Sequence, residues 1–320
     1  MFESMPLQCA PSNLSDYVGE ILPGFQEIYG TEAADHYAIA GAAGIAATMA
    51  RPDVLAFGCA SEGVVCALLL AKRENTRTTL SFFHVLRPYR HSGAGKALLN
   101  FALDSLEPCA DIFTEFIPFC PIDLDSVFSK RGFSTLNRQL MCCPTESRPS
   151  HYRGEFAFTH PAPADLHALA TVLAETYRGH PERFLFPEVQ SASRALDYIL
   201  RATVGEFGRH NSTHTLAAWQ NGQCAGFGIG CQVLPGLGFV LHLAVAPAFQ
   251  GIGLGTALLK GLSTAFAEEA LDYIALGVTC DNPAVNLYHR AGFRINARIP
   301  VYYRLAGAFE GVSPSNHPQT

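Results

Sequence analysis

Residues 242–259 read HLAVAPAFQGIGLGTALL, and residues 82–99 read FFHVLRPYRHSGAGKALL. At an offset of 160 residues, Val245 falls on Val85, Gly253 on Gly93, Gly255 on Gly95, and Ala257–Leu259 on Ala97–Leu99. The same offset carries Gly132-Phe133 onto Gly292-Phe293, and the turn Ser61-Glu62-Gly63 onto Asn221-Gly222-Gln223. About seventy residues of each half therefore run in register without a gap, the mark of an internal repeat. The repeat predicts two copies of one fold, with a boundary in the Pro/Ser-rich stretch 144–150.

Each copy reads as an α/β fold of the mixed α+β kind, a mostly antiparallel sheet flanked by helices. A short strand (Pro6–Cys9; Glu155–Thr159) leads to a helix, and a second helix follows near 33–50 and 191–205. Two apolar strands then surround a tight turn: Val54–Ala60 with Val64–Lys72, and Thr215–Gln220 with Cys224–Val233. Asn221-Gly222 is a two-residue hairpin signal. In the second copy a strand at Phe239–Val245 precedes the glycine loop. A helix follows from about Gly253 to Glu269, then a strand at Tyr273–Thr279 and a helix at Pro283–Arg290. One closing strand begins near Phe293 and another near Pro300. Hairpins with one strand–loop–helix–strand unit make a largely antiparallel sheet with a single parallel step.

The chain of 320 residues is 48% apolar and 16% charged, which excludes a disordered polypeptide. Its net charge of −6 offers no basic face for nucleic acid. The opening MFESMPLQCA lacks the basic and apolar regions of a signal peptide, and the apolar stretch 37–50 is too short to span a bilayer. No membrane partner is expected. The ten cysteines form no CxxC and have no zinc-ligand spacing with histidine, so no metal is expected. Their apolar settings read as reduced core thiols of a cytoplasmic protein.

The loop from Val245 to Gly255 is the sharpest element. Its glycines let backbone approach a ligand closely, and the helix start aims free N–H groups at an anion. It is not a P-loop, since no Lys-Ser or Lys-Thr pair ends the glycine run, and Thr256 breaks the dinucleotide fingerprint. A plain strand-to-helix turn is the alternative. After the next strand comes Thr279-Cys-Asp-Asn282-Pro-Ala-Val-Asn-Leu-Tyr288-His-Arg-Ala-Gly292-Phe293. Asn282 offers both a donor and an acceptor. Tyr288 is a candidate proton donor to a leaving group, with a core tyrosine as the alternative.

Together these segments resemble the GNAT superfamily of acyl-CoA-dependent N-acyltransferases. Gln250–Gly255 fits its Q/R-x-x-G-x-G/A signature, and Asn282–Phe293 its N-x-x-A-x-x-L-Y-x-x-x-G-F segment. The resemblance covers nearly all of residues 155–305. It implies acetyl-CoA as cosubstrate, its pyrophosphate held by loop amides of Gln250, Gly251, Ile252, Gly253, Leu254 and Gly255. It implies backbone pairing of Val245 with the pantetheine arm, contact of Asn282 on the pantetheine side, and protonation of the departing thiolate by Tyr288. The first copy keeps the signature through Arg90, Gly93 and Gly95, so it offers a second candidate cofactor loop. It has Ile122 where Asn282 stands and Phe128 where Tyr288 stands. The expected organisation is a degenerate GNAT-like domain over 1–146, an acetyltransferase domain over 151–307, and a tail over 308–320. The tandem arrangement is distantly similar to mycothiol synthase, although Phe239 stands where that enzyme carries a glutamate. It is likewise distantly similar to ribosomal-protein N-acetyltransferases, although Gly277 replaces their strand glutamate.

The implied acceptor is a primary amine of a small molecule or peptide N-terminus, which must lose a proton. The candidate bases are His242, Glu175, Tyr177, Glu182 and Tyr302. His242 stands one residue out of phase with the usual strand positions, and a hydrogen-bonded strand histidine is its alternative. For Glu175, Tyr177 and Glu182 the alternative is a solvated helix face and loop. Against the enzyme stands a non-catalytic acyl-CoA-binding or scaffold protein on the same duplicated fold. The oligomeric state has no signature in the sequence.

Overall fold

The computed structural model describes residues 2–29, 41–74, 76–106, 111–114, 122–146 and 155–306. The prolines at 118 and 121, most of the boundary stretch 144–150, the start of the helix expected near 33–50, and the tail at 308–320 lie outside them.

The chain divides into two compact units, residues 1–138 with 298–320, and residues 139–297. The expected linear boundary differs from this division by an exchange of terminal strands. In the first unit, β1 (Glu3–Leu7), helix α1 (Leu14–Tyr29) and α2 (residues 41–49) precede the hairpin strands β2 (Val54–Ser61) and β3 (Val64–Glu74). Then come β4 (Arg77–Val85), α3 (Ala94–Ser105), β5 (Asp111–Thr114), α4 (Asp125–Lys130) and the start of β6 (Ser134–Pro144). The second unit repeats this as β7 (Ala157–Thr159), α5 (Leu166–Thr176), α6 (Ala192–Thr203), β8 (Thr215–Gln220), β9 (Gln223–Leu234) and β10 (Leu237–Val245). It continues with α7 (Leu254–Glu268), β11 (Tyr273–Thr279), α8 (Val285–Arg290) and the start of β12 (Arg294–Arg304). From the glycine loops onward the offset of 160 holds to the residue: α3 and α7, α4 and α8, β6 and β12 begin at matching positions.

The sheet of the first unit runs β1-β2-β3-β4-β5 and is completed by the end of β12, where Tyr303 pairs with Phe113 and Arg304 with Ile112. That of the second runs β11-β10-β9-β8-β7 and is completed beside β11 by the end of β6. β1 to β4, and β7 to β10, pair antiparallel in succession, as β5 does with β12, whereas β4 with β5 and β10 with β11 are parallel. The two closing strands expected near Phe293 and Pro300 are one strand, β12. Pro300 does not interrupt it, because the pairing with β5 lies beyond the proline and needs no N–H from it.

The cores follow from alternation. On β9, Phe227 and Ile229 pack against α5 and α6, which bury Leu169, Leu173 and Ile199. The intervening glycines let α7 lie close: a Cβ on Gly228 would stand 2.6 Å from Leu262. Leu259, Leu262 and Phe266 of α7 fill the other face with Val240 and Ile274. Burying each such side chain contributes about 1.5–3 kcal/mol. No described helix is long and apolar enough to cross a membrane.

Candidate active site

The two central parallel strands separate. β10 pairs with β11 only from Leu237–Val240 to Tyr273–Leu276, yet β10 runs on to Val245 and β11 to Thr279. A bulge marks the parting: Val240 faces Gly230 and His242 faces Ile229, leaving Leu241 as the extra residue. A bulge bends its strand and raises the local twist. It also resets the side-chain phase. Val240 and Leu243 pack with the α7 core, whereas Leu241 and Ala244 pack with the α5/α6 core. The first unit repeats the bulge at Ser81, between Leu80 opposite Ala71 and Phe82 opposite Leu70.

The glycine loop closes the wedge at the end of β10. After Val245 a single 3-10 turn over Pro247–Phe249 leads to Gln250. Gly251 (φ 78°) and Gly253 (φ 89°) hold the left-handed backbone that favours glycine, and Gly253 starts α7 with no side-chain cap. A Cβ on Gly251 would meet nothing within 4 Å, so the loop faces open space. Ile252 is about half exposed beside it. The Gln250 side chain turns inward: Nε2 donates to the Val245 carbonyl at 2.9 Å, and Thr176 Oγ1 donates to the same oxygen at 3.3 Å. Gly255 serves packing, since its Cβ would lie 3.1 Å from Leu287 and 3.6 Å from Val245.

Across the wedge, β11 leads to Asn282 and α8. Asn282 Oδ1 accepts the Ala284 N–H at 2.9 Å, and Nδ2 donates to Glu182 Oε1 at 3.1 Å. Glu182 lies in the 3-10 turn Pro181–Phe184 between α5 and α6 and is only 6% exposed, so it is no solvated loop residue. Tyr288 is 9% exposed, and its hydroxyl forms no hydrogen bond among the described residues. Burial, and then the Glu182 charge, push its phenol up to about 12. Thr279, at the end of β11, holds a buried Oγ1 without a hydrogen-bond partner among the described residues.

His242 sits on the α5/α6 side because of the bulge, which alternation alone does not reveal. It is buried, with Nε2 3.3 Å from Glu188 Oε1. The rings of Tyr198, Phe186 and Tyr177 stand edge-on to it at 5.1, 6.0 and 6.1 Å. Tyr177 also meets His180 at 5.2 Å, two residues before Glu182, and so joins the two carboxylate-bearing clusters. Burial and Glu188 push the Tyr198 phenol well above its ordinary range. Glu175 is half-buried on α5 and joins neither cluster through a hydrogen bond. Tyr302 is corrected as a candidate base for the second unit. It belongs to the first, stacked 4.3 Å from Phe128 with its hydroxyl 2.5 Å from Asp125 Oδ1.

In the first loop a Cβ on Gly93 (φ 90°) would meet nothing within 4 Å, but Gly95 is covered: its Cβ would stand 2.6 Å from Ile122 and 2.7 Å from Val85. The Arg90 guanidinium donates to Glu20 Oε2 at 2.9 Å and to the Val85 carbonyl at 3.4 Å. Glu182 and Glu188 are the site residues that sequence patterning undervalued. Both lie in short turns after prolines, where no periodicity distinguishes a buried carboxylate from a solvated one.

Residues 169–293 match the acetyltransferase (GNAT) family. Over 70 residues, 21% of this chain, the sequence is 40% identical to an uncharacterized N-acetyltransferase of Methanocaldococcus jannaschii, and the match spans 45% of that protein's length. The fold is similar to a GCN5-related N-acetyltransferase from Sphaerobacter thermophilus, with a TM-score of 0.68, 16% identity and 95% of each chain covered. It is also similar to a tandem GNAT protein from the clavulanic acid biosynthesis pathway, with a TM-score of 0.60, 15% identity, and 97% of this chain and 100% of that one covered. Residues 169–293 thus carry the sequence of the GNAT acetyltransferase family, and the chain that holds them has the fold of tandem GNAT proteins.

Proposed function

We propose that the second unit transfers an acetyl group from acetyl-CoA to a primary amine. One observation carries this reading: β10 and β11 part beyond Val240 and Leu276, beside a glycine loop whose Gly251 faces open space. Such a loop at a helix start suits a pyrophosphate, and the edge of a strand parted from its neighbour suits the amides of a pantetheine arm. The buried Thr279 hydroxyl, without a hydrogen-bond partner among the described residues, adds a polar group at the end of β11. The amides of Gln250–Gly255 would hold the pyrophosphate, with the Gln250 side chain fixing the loop on Val245. The Val245 backbone and the remaining amide hydrogen of Asn282 would meet the arm.

In the transfer, the amine nitrogen bonds to the acetyl carbon and the carbon–sulfur bond breaks. The sulfur leaves as a thiolate and takes the proton of the Tyr288 hydroxyl. The amine loses a proton to His242: in the tautomer whose Nε2–H faces Glu188, Nδ1, which has no hydrogen bond among the described residues, is the acceptor. Thiol nucleophiles are a poor alternative: burial pushes Cys142, Cys224 and Cys231 up to about 11. Free thiols also support the cytoplasmic reading.

The second reading, a non-catalytic acyl-CoA-binding protein, draws support from Asn282, whose amide is engaged at both ends within the chain. A panel of primary amines with acetyl-CoA, followed by free-thiol release, separates the two. Amine-dependent release that disappears in Gly253→Asp supports the enzyme. Calorimetric binding of CoA with no release for any amine supports the binding protein. Unchanged CoA affinity in Gly253→Asp removes the loop from either reading.

A further inference from the structure

The first unit carries an anion at the mouth of its own glycine loop. Glu20, on α1, receives the Arg87 backbone N–H on both carboxylate oxygens, at 2.7 and 2.9 Å. Its Oε2 also takes the Arg90 guanidinium at 2.9 Å and stands 3.2 Å from His84 Nε2. The His84 side chain is almost wholly buried, and the Glu20 side chain is 19% exposed. The position is fixed from below: one turn earlier on α1, the Tyr17 hydroxyl donates to the Val65 carbonyl at 2.7 Å, and Asn13 Nδ2 donates to the same oxygen at 3.0 Å. Burial alone would raise the Glu20 carboxyl, but the Arg87 N–H and His84 outweigh it and hold it below the usual carboxylate range. The second unit is built differently. There the strand-end carbonyl takes the neutral side chains of Gln250 and of Thr176, which comes from α5.

We infer that Glu20 is the resident anion of a site formed by the Arg87 N–H, the Arg90 guanidinium and His84 at the entrance to the first loop, so that the chain takes CoA at the second loop alone, and that removing this carboxylate leaves a latent site for phosphate-type anions. An amide and a guanidinium oriented on a carboxylate are the donors a phosphate would use. A fixed negative charge beside the loop also repels a polyanion that the same groups would otherwise attract. Ile122 over Gly95 adds a steric barrier on the helix side.

The test is stoichiometry on the full chain. The wild type is expected to bind one CoA by equilibrium dialysis, and Gly253→Asp none. In the Gly253→Asp background, Glu20→Ala is expected to restore binding of inorganic pyrophosphate and, more weakly, of CoA. Glu20→Gln, which keeps an acceptor for Arg87 N–H without the charge, should give an intermediate gain and controls for misfolding. Circular dichroism confirms that each variant is folded. Two CoA per wild-type chain, or one CoA in Gly253→Asp, overturns the inference, as does a folded Glu20→Ala that gains no pyrophosphate affinity. The inference rests on the second loop being the CoA site. If the wild type binds no CoA at all, that reading fails, while the pyrophosphate arm still decides the role of Glu20.

Discussion

Tyr288 is a buried phenol with a hydroxyl that forms no hydrogen bond among the described residues. Phe128 occupies the matching place in the first unit, fully buried, so the hydroxyl is dispensable for the fold. Tyr288→Phe is expected to lower kcat by about 10²–10⁴-fold and to leave the thermal midpoint and acetyl-CoA affinity unchanged. Measuring rate and melting on one preparation checks this. After burial, the Glu182 charge is what raises that phenol. Because a negative neighbour disfavours phenolate, the carboxylate keeps Tyr288 protonated to higher pH. Glu182→Gln removes the charge but keeps an acceptor for Asn282. Its alkaline limb of kcat is therefore expected at lower pH than in the wild type, and an unmoved limb excludes Tyr288 as its source. Asn282 and Tyr288 were legible as candidates because their spacing survives in one dimension. The burial of Glu182 was not, because it depends on the α5–α6 connection folding onto a residue 100 positions away.

At the scale of elements, the glycine loop is a closed turn as much as a ligand cradle. Gln250 and Arg90 both reach back five residues to the carbonyl that ends their strand. Gln250→Ala removes one hydrogen bond of about 0.5–1.5 kcal/mol, and KM for acetyl-CoA is expected to rise roughly two- to tenfold with kcat little changed. Gln250→Arg, the first unit's own solution, is expected to restore most of it. At the other end of α7, Glu269 receives Asn211 and Thr213, each at 2.8 Å, beside the buried His214. Burial, then the neighbouring His214, lowers His210 to about 4, and burial lowers His214 as well, although Glu269 opposes it. Both are then neutral in the fold and take up protons more readily when unfolded, so stability falls as pH drops from 6.5 towards 4. His210→Gln is expected to flatten that part of the melting-temperature profile without changing its neutral plateau. Strand and helix positions were readable from hydrophobic alternation and the Asn221-Gly222 turn. The bulge at Leu241 was not: it inverts the phase of His242 relative to the alternation from which its orientation had to be inferred.

At the scale of the whole molecule, the repeat disclosed two copies but not which strand completes which sheet. β6 and β12 occupy matching positions in the repeat, so sequence pattern favours neither partner over the other. The compact units take residues 139–144 into the second and 298–304 into the first. Genes encoding residues 1–150 and 151–320 separately are expected to give insoluble or partly folded products when expressed singly. Expressed together, they are expected to give a soluble complex that co-purifies through a tag on either piece. Two independently folded, monomeric fragments would contradict the exchange. The same exchange sets an order on synthesis. A ribosome that has made β5 must add nearly two hundred residues before the strand that borders it emerges, a delay on the order of ten seconds or more at about 5–20 residues per second. Throughout that interval the edge of β5 is open to the nascent chain's own β6, the equivalent strand. The first unit reaches its final pairing only once β12 has been translated, and a stop codon placed before β12 damages a sheet built almost two hundred residues earlier.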